Sequence, residues 1–396
     1  MGEWKSFQVG EIGKVITGKT PKTSISDNYG GYIPFLTPSD DMSVKYVRKT
    51  AKTLTEKGLS EVKNAILPAN SVCVSCIGSD LGKVVITTRP TVTNQQINSI
   101  VVDEARFDIS FVYYAMRILG KKLNFISKTS TAVPIVNKSS FSSYEIECPS
   151  LKEQKQIAAV LSVLDAKIEC NRMINDNLYA QAKATTKQWI SKSTGDYELL
   201  PLSDIASINP DTYSPKETWK YVNYLDTSSI TEGCIAEIQH ITPSSEKLPS
   251  RARRKIAPND IVFSTVRPNQ RHYGIINEPL PNMLGSTGFA VIRSKNPLVC
   301  NELIYLCLTE NEFIEKMQQL AEQSTSTFPS IKPSDLGVCE IPCPKDQSST
   351  SFTETLKSLF ALIAANQREN ISLSEIRDAL LPKLMSGEID VSDIQL

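Results

Sequence analysis

What this chain of 396 residues lacks narrows its function before any motif is considered. It carries no net charge, because 43 lysines and arginines are balanced by 43 aspartates and glutamates. A nucleic-acid partner would therefore have to be met by local patches and not by the field of the whole molecule. The two histidines, His240 and His272, have no catalytic company, and no H-E-x-x-H, G-x-S-x-G or G-x-G-x-x-G pattern occurs. Neither an N/D-P-P-Y/F methyltransferase tetrapeptide nor a clustered nuclease carboxylate motif is found. No stretch of about 18 apolar residues could span a bilayer, and the first residues lack the basic-then-apolar order of a secretion signal. The expected compartment is the cytoplasm. Nine cysteines, an odd number scattered without a dense framework, fit reduced thiols.

What the chain does have is an internal repeat. Pro134-Ile-Val-Asn-Lys-Ser-Ser-Phe141 matches Pro329-Ser-Ile-Lys-Pro-Ser-Asp-Leu336 at a separation of 195 (329 − 134), and the same separation pairs Ile146 with Ile341, Pro149 with Pro344, Asn171 with Asn366, Asn175 with Asn370 and Leu178 with Leu373. One offset held over roughly forty positions of mixed residue types is the signature of a duplication. Upstream it drifts to 190, where 67–74 aligns with 257–264 and Arg267 and Asn269 fall against Ile77 and Ser79. Drift of this kind marks insertions in surface loops.

Short apolar or alternating runs bounded by Pro, Gly, Asn and Ser, at 71–77, 83–87, 98–102, 260–266 and 288–293, predict strands, and 111–119 and 302–321 predict helices. The fold class expected is α/β (α+β): two globular domains in tandem, each followed by a long helix. The expected boundaries are 1–149 for the first domain, 150–195 for the first spacer helix, 196–344 for the second domain, and 345–396 for the second helix and tail. The strand order does not follow from the pattern.

The two long segments are free of Gly and Pro until Gly195 and Pro382. Alternating steps of four and three from Ile157 select Leu161, Leu164, Ile168, Asn171, Asn175, Leu178, Ala182, Thr185 and Trp189 without a slip. The repeat supplies Phe352, Leu356, Leu359, Ile363, Asn366, Asn370, Leu373, Arg377, Leu380 and Leu384. Each is a coiled-coil seam, and a seam cannot be buried alone. The reading is an intramolecular antiparallel coiled coil in which Asn171 and Asn175 face the region of Asn366 and Asn370, polar groups that fix register at some expense of stability. About 40 residues of helix give a spacer of roughly 60 Å.

The rival reading is an NTPase. Gly13-Lys-Val-Ile-Thr-Gly18-Lys19-Thr20 matches G-x-x-x-x-G-K-[ST], and Asp103-Glu104 ends an apolar run as a magnesium-binding acidic strand would. That chemistry needs a helix directly after the loop so that its amides and dipole meet the phosphates. Pro21 follows Thr20 at once, and 22–31 has no apolar period, so no helix is expected there. Cys73-Val-Ser-Cys76 is a lone C-x-x-C whose sulfurs alternate across a strand, and Phe263 and Val266 replace them in the repeat, which makes core positions the better reading than zinc. No metal site is expected.

The remaining chemistry suits DNA. Arginine pairs with guanine and Asn or Gln with adenine in the major groove, while Lys, Ser and Thr contact phosphates. The second half offers Arg251, Arg253, Arg254, Thr265, Arg267, Asn269, Arg271, Ser324 and Lys332. The first half offers Lys19, Lys22, Ser79, Lys83, Asn94, Gln95, Gln96, Thr129 and Ser130, with Lys45, Arg48 and Lys49 as further cations.

Taken together, Gly18-Lys-Thr-Pro21 with Tyr32-Ile-Pro-Phe-Leu-Thr-Pro38, Thr93-Asn-Gln-Gln96, Pro149-Ser-Leu-Lys-Glu-Gln154 leading into Leu164-Asp165, and Leu380-Leu-Pro-Lys-Leu-Met-Ser-Gly-Glu388 resemble the specificity subunits of type I restriction-modification systems over essentially the whole chain. The resemblance implies a non-catalytic subunit whose two halves each read one part of a split target in double-stranded DNA. It further implies helices that dock two methyltransferase subunits and, through them, restriction and translocase subunits. S-adenosylmethionine, ATP and magnesium would sit on those partners, with no cofactor in this chain. The second helix opening, Lys345-Asp-Gln-Ser-Ser349, departs from the acidic-Gln-Lys character of Glu153-Gln-Lys155.

Overall fold

The computed structural model describes residues 4–129, 136–192, 195–214, 216–324, 328–392 and 394. The chain divides into two compact units, Met1–Asn171 with Arg368–Leu396, and Arg172–Gln367. Among the described residues no helix is long and apolar enough to cross a membrane.

In the first unit a five-stranded sheet runs in the order Gly13–Thr17, Ile97–Val102, Val72–Ser75, Val84–Thr87 and Tyr46–Val47. A four-stranded sheet follows the order Lys52–Leu54, Tyr29–Leu36, Thr91–Thr93 and Ile66–Leu67, and Lys5–Gln8 pairs antiparallel with Glu145–Cys148. The central strands Val72–Ser75 and Val84–Thr87 are buried throughout, so their β-branched residues sit where a pleated, two-sided surface favours them. The helix Ile109–Thr129 covers this sheet through Phe111, Val112, Tyr114 and Met116.

The second unit repeats the plan. One four-stranded sheet has the order Ala206–Ile208, Phe289–Ser294, Asp260–Ser264 and Tyr273–Ile276. The other has Gln239–Ile241, Val222–Leu225, Met283–Ser286 and Ala252–Lys255, and Tyr197–Pro201 pairs with Glu340–Pro344. The expected helix over 302–321 is two helices, Asn301–Leu308 and Asn311–Glu322. Thr309 ends the first by turning its hydroxyl back to the Tyr305 carbonyl at 2.8 Å, a competing local bond that a hydrophobic period does not reveal.

Each long segment is a single helix, Leu151–Lys192 and Thr350–Met385. The first opens on Ser150, whose Oγ accepts the Glu153 amide, and stops short of Gly195, which takes φ +105°. The second starts only after the short turn Gln347–Ser349 and continues through Pro382 to Met385, so that the seam position Leu384 lies within it. A proline removes one backbone bond, but Leu381, Leu384 and Met385 are buried on either side of it and hold the last turn in the first core.

Within each unit the two long helices touch. In the first, Arg377 Nη1 donates to Asp165 Oδ1 at 2.8 Å and Asn171 Nδ2 donates to Asn370 Oδ1 at 2.9 Å and Glu369 Oε2 at 2.7 Å. In the second, Asn366 Nδ2 donates to Asn175 Oδ1 at 2.8 Å, and Trp189 stacks on Phe352 with ring centroids 4.4 Å apart. Higher numbers on the first helix meet lower numbers on the second in both units. The two asparagine bonds are counterparts under the 195-residue repeat.

Lys45, taken from the sequence as a surface cation, is buried. Its Nζ donates to Ser162 Oγ at 2.7 Å, Ser110 Oγ at 3.0 Å and Tyr114 Oη at 3.4 Å. Tyr114 in turn donates to Asp165 at 2.6 Å. A lysine at the end of a loop reads as solvated until the helices that close over it are known.

Candidate nucleic-acid interface

The two sheets that begin each half present matching hairpins. In the first unit Ser75 N donates to Lys83 O, Leu81 N to Gly78 O, and Val136 N to Cys76 O. In the second Ser264 N donates to His272 O, Gln270 N to Arg267 O, and Ile331 N to Thr265 O. Both ends of the first two bonds correspond at a separation of 189 (267 − 78), one less than the sequence alignment gave. Arg267 thus stands against Gly78 and Asn269 against Asp80, correcting Ile77 and Ser79. Backbone angles agree: Gly78 and Arg267 have φ +69° and +47°, and Gly82 and Arg271 have +87° and +57°. The first copy places glycine at both left-handed positions and the second places arginine at both.

The second hairpin is tied down on every side. Pro268 is buried, Arg267 N donates to Pro329 O at 2.9 Å, and Asn269 N donates to Gln318 Oε1 at 3.2 Å. Arg271 donates to Glu232 at 3.2 Å and Asn311 at 2.9 Å. Arg267 is exposed, and its guanidinium lies over the Phe328 ring, 5.1 Å from the centroid. Phe328 was missed in the sequence; an aromatic ending the run Gln323-Ser-Thr-Ser-Thr327 was the available signal. Thr265 is buried, its hydroxyl donating to the Gly288 carbonyl at 2.9 Å, so it supports the loop and does not face outward. Ser324 is half-buried, and exposed Lys332 precedes the short helix Pro333–Gly337, its amide donating to Asp335 at 2.7 Å.

The basic run lies on the strand Ala252–Lys255, an edge of its sheet. Arg251 is exposed, Arg253 Nε donates to Ser250 O at 3.2 Å, and Lys255 pairs with Glu217 at 2.7 Å. Arg254 is different. Its Nε is buried without a hydrogen-bond partner, and burial pulls its pKa down.

In the first unit Lys19 and Lys22 are exposed and Gln95 accepts the Thr20 hydroxyl at 2.5 Å. Asn94 is buried and donates to Gln96 at 2.9 Å, which makes it a brace of the turn and not a projecting reader. Exposed Lys83 pairs with Asp80 at 2.6 Å, and Ser79 lies in the turn Gly78–Asp80. Thr129 is the last residue of its helix, and Ser130 lies outside the described residues. Arg48 pairs with Glu169 at 3.2 Å.

The phosphate-loop pattern is occupied by the fold itself. Gly18 N donates to Ile97 O at 3.1 Å and Lys19 N to Thr93 O at 2.8 Å, and only the short turn Ser26–Asn28 follows. Amides spent on strand carbonyls cannot cradle phosphates. Cys73 and Cys76 are both buried, and burial pushes the Cys73 thiol up to about 12. Among the described residues no group of acidic, histidine or cysteine side chains is arranged to hold a metal.

Comparison with known proteins gives this arrangement its class. Residues 1–180 match the profile of the type I restriction modification DNA specificity domain. Over nearly its whole length the chain is similar to specificity subunits of type I restriction-modification systems. It is 26% identical to the MjaIX specificity subunit of Methanocaldococcus jannaschii, covering 99% of this chain and 95% of that one. Against the HindI specificity subunit of Haemophilus influenzae the identity is 33%, over 43% of this chain and 38% of that one. The crystal structure of a type I S subunit from M. genitalium has the same fold, with TM-score 0.53 at 17% identity over 97% of this chain and 96% of that one.

Proposed function

We propose that the chain is the sequence-specific DNA-binding subunit of a type I restriction-modification complex, with recognition domains at 1–149 and 196–344 that each read one part of a bipartite double-stranded target. The observation that carries this reading is the pair of hairpins with matching hydrogen bonds and unlike loop residues. A common scaffold bearing Gly78 and Asp80 in one copy and Arg267 and Asn269 in the other suits two readers of different sequences, since base edges are distinguished by side-chain donors and acceptors. The long helices, 150–195 and 345–396, form an antiparallel coiled coil that spaces the readers and docks two methyltransferase subunits. The asparagine pairs Asn171–Asn370 and Asn175–Asn366 support that register. Chemistry belongs to the partners: methyltransferase subunits with S-adenosylmethionine, and restriction subunits with ATP and magnesium. The chain itself contributes recognition and needs no cofactor.

The test is to sequence methylated positions in the DNA of a host carrying the chain with its methyltransferase. One interrupted motif of two specific parts is expected. A single uninterrupted motif, or methylation without sequence preference, overturns the proposal.

A further inference from the structure

The second hairpin places a bulky cation where its own counterpart uses glycine. A non-glycine residue at positive φ is held at a steric disadvantage, and such residues persist where surrounding structure over-determines them. Arg267 and Arg271 both do so, yet they are used differently. Arg271 is anchored to Glu232 and Asn311 and so explains its own presence. Arg267 has no carboxylate partner among the described residues, and its guanidinium lies over the Phe328 ring. That ring is 55% exposed, so the pair stands in solvent and does not hold the core together.

From this we infer that Arg267, braced on Phe328, is the guanine-reading side chain of the second recognition domain; the inference rests on the DNA-recognition reading above. The guanidinium lies over the aromatic ring, a contact that uses none of its N–H donors in a hydrogen bond and so leaves them available. Two of those donors match the O6 and N7 acceptors of guanine in the major groove, a pairing no other base offers. The backbone bond from Arg267 N to Pro329 O fixes the root of the side chain, and the ring restrains its plane. Much of the rotamer freedom is therefore lost before DNA arrives. In the first domain the counterpart Gly78 has no side chain, so the same position cannot read a base there. The two half-sites should differ in whether this hairpin contributes a guanine contact.

The experiment takes the full chain with its methyltransferase and a set of duplexes carrying every single-base change in the methylated motif. Three variants are compared with the parent: Arg267→Gly, Arg267→Lys and Phe328→Ala. Arg267→Gly relieves the backbone strain, so its thermal midpoint should hold or rise while discrimination at one guanine falls roughly ten- to hundredfold. Arg267→Lys keeps the charge but not the fork, and should lose the same discrimination while retaining most of the overall affinity. Phe328→Ala should show a smaller loss at that same position. Unchanged sequence preference in Arg267→Gly overturns the inference and leaves the recognition reading standing. So does equal weakening at every position, which would make Arg267 a phosphate contact. A parent complex without any sequence preference overturns both.

Discussion

Asp165 and Arg377 meet at 2.8 Å in the first unit, each about nine-tenths buried. Under the 195-residue repeat their counterparts are Phe360 and Ala182, both in the apolar core of the second unit. One junction between helix and domain is thus built from charges and the other from rings, Phe360 packing edge-on to Tyr179 and Tyr305. Arg377 also reaches Asp378, which holds Arg117 and Lys121. Removing one member of a buried pair strands the other, so Arg377→Ala should destabilise the first unit by about 3 kcal/mol. Urea unfolding followed by hydrogen exchange in 151–171 would measure it. The double change Asp165→Phe with Arg377→Ala should be milder than the single one; an additive loss would show that the pair is not coupled.

The same network predicts a pH dependence. Burial pulls the Lys45 pKa down to about 8 from an ordinary 10.5, against the opposing pull of Asp165 and Asp108. Between those values the unfolded chain holds a proton that the folded chain has given up, so stability rises with pH through that window. Burial acts the other way on Tyr113 and Tyr114, whose pKa values are raised. Above about 10 the unfolded tyrosines ionise while the folded ones stay protonated, and stability falls. Thermal midpoints from pH 7 to 11 should pass through a maximum, and Lys45→Met should abolish the rising limb. A rising limb that survives the substitution assigns it to another group.

Asn171 carries an unsatisfied element of its own. Its Nδ2 is bonded twice, but its Oδ1 is buried without a partner. Replacing Asn171 and Asn370 with leucine removes that penalty while Glu369 keeps its pair with Lys167, so Asn171→Leu with Asn370→Leu should raise stability by about 1 kcal/mol. Asn171→Leu alone leaves Asn370 and Glu369 without their donor and should give no gain. The corresponding readout of register is the methylated motif, whose half-site spacing should become heterogeneous if these asparagines fix alignment.

Gly18 tests the excluded nucleotide site. A methyl group there would collide with the carbonyl oxygens of Thr93 and Asn94, and overpacking against backbone typically costs about 1–3 kcal/mol. Gly18→Ala should therefore lower the thermal midpoint, and neither parent nor variant should bind ATP by calorimetry. ATP binding in the parent that Lys19→Ala abolishes would restore the NTPase reading.

The sequence disclosed most where a short period governs structure. The steps from Ile157 to Trp189 lie on one face of a helix whatever the tertiary context, and Pro21 was enough to deny a helix after Thr20. It disclosed least where distant strands decide. The order that puts Ile97–Val102 between Gly13–Thr17 and Val72–Ser75 follows from non-local pairing, which no local pattern encodes. Lys45 was misjudged because only Ser110, Ser162 and Tyr114, far along the chain, bury it. Arg267 was noticed for its chemistry, but its left-handed backbone and its contact with Phe328 exist only in the folded hairpin.

The division into units bears on how the chain matures. The second unit is one continuous stretch, Arg172–Gln367, whereas the first needs Arg368–Leu396 as well as its own opening 171 residues. During synthesis the earlier-made unit must therefore wait for the last segment, with Leu381, Leu384 and Met385 still missing from its core while the later-made one can already close. Emergence order and completion order are reversed, and the half-built first core is the species most in need of a chaperone.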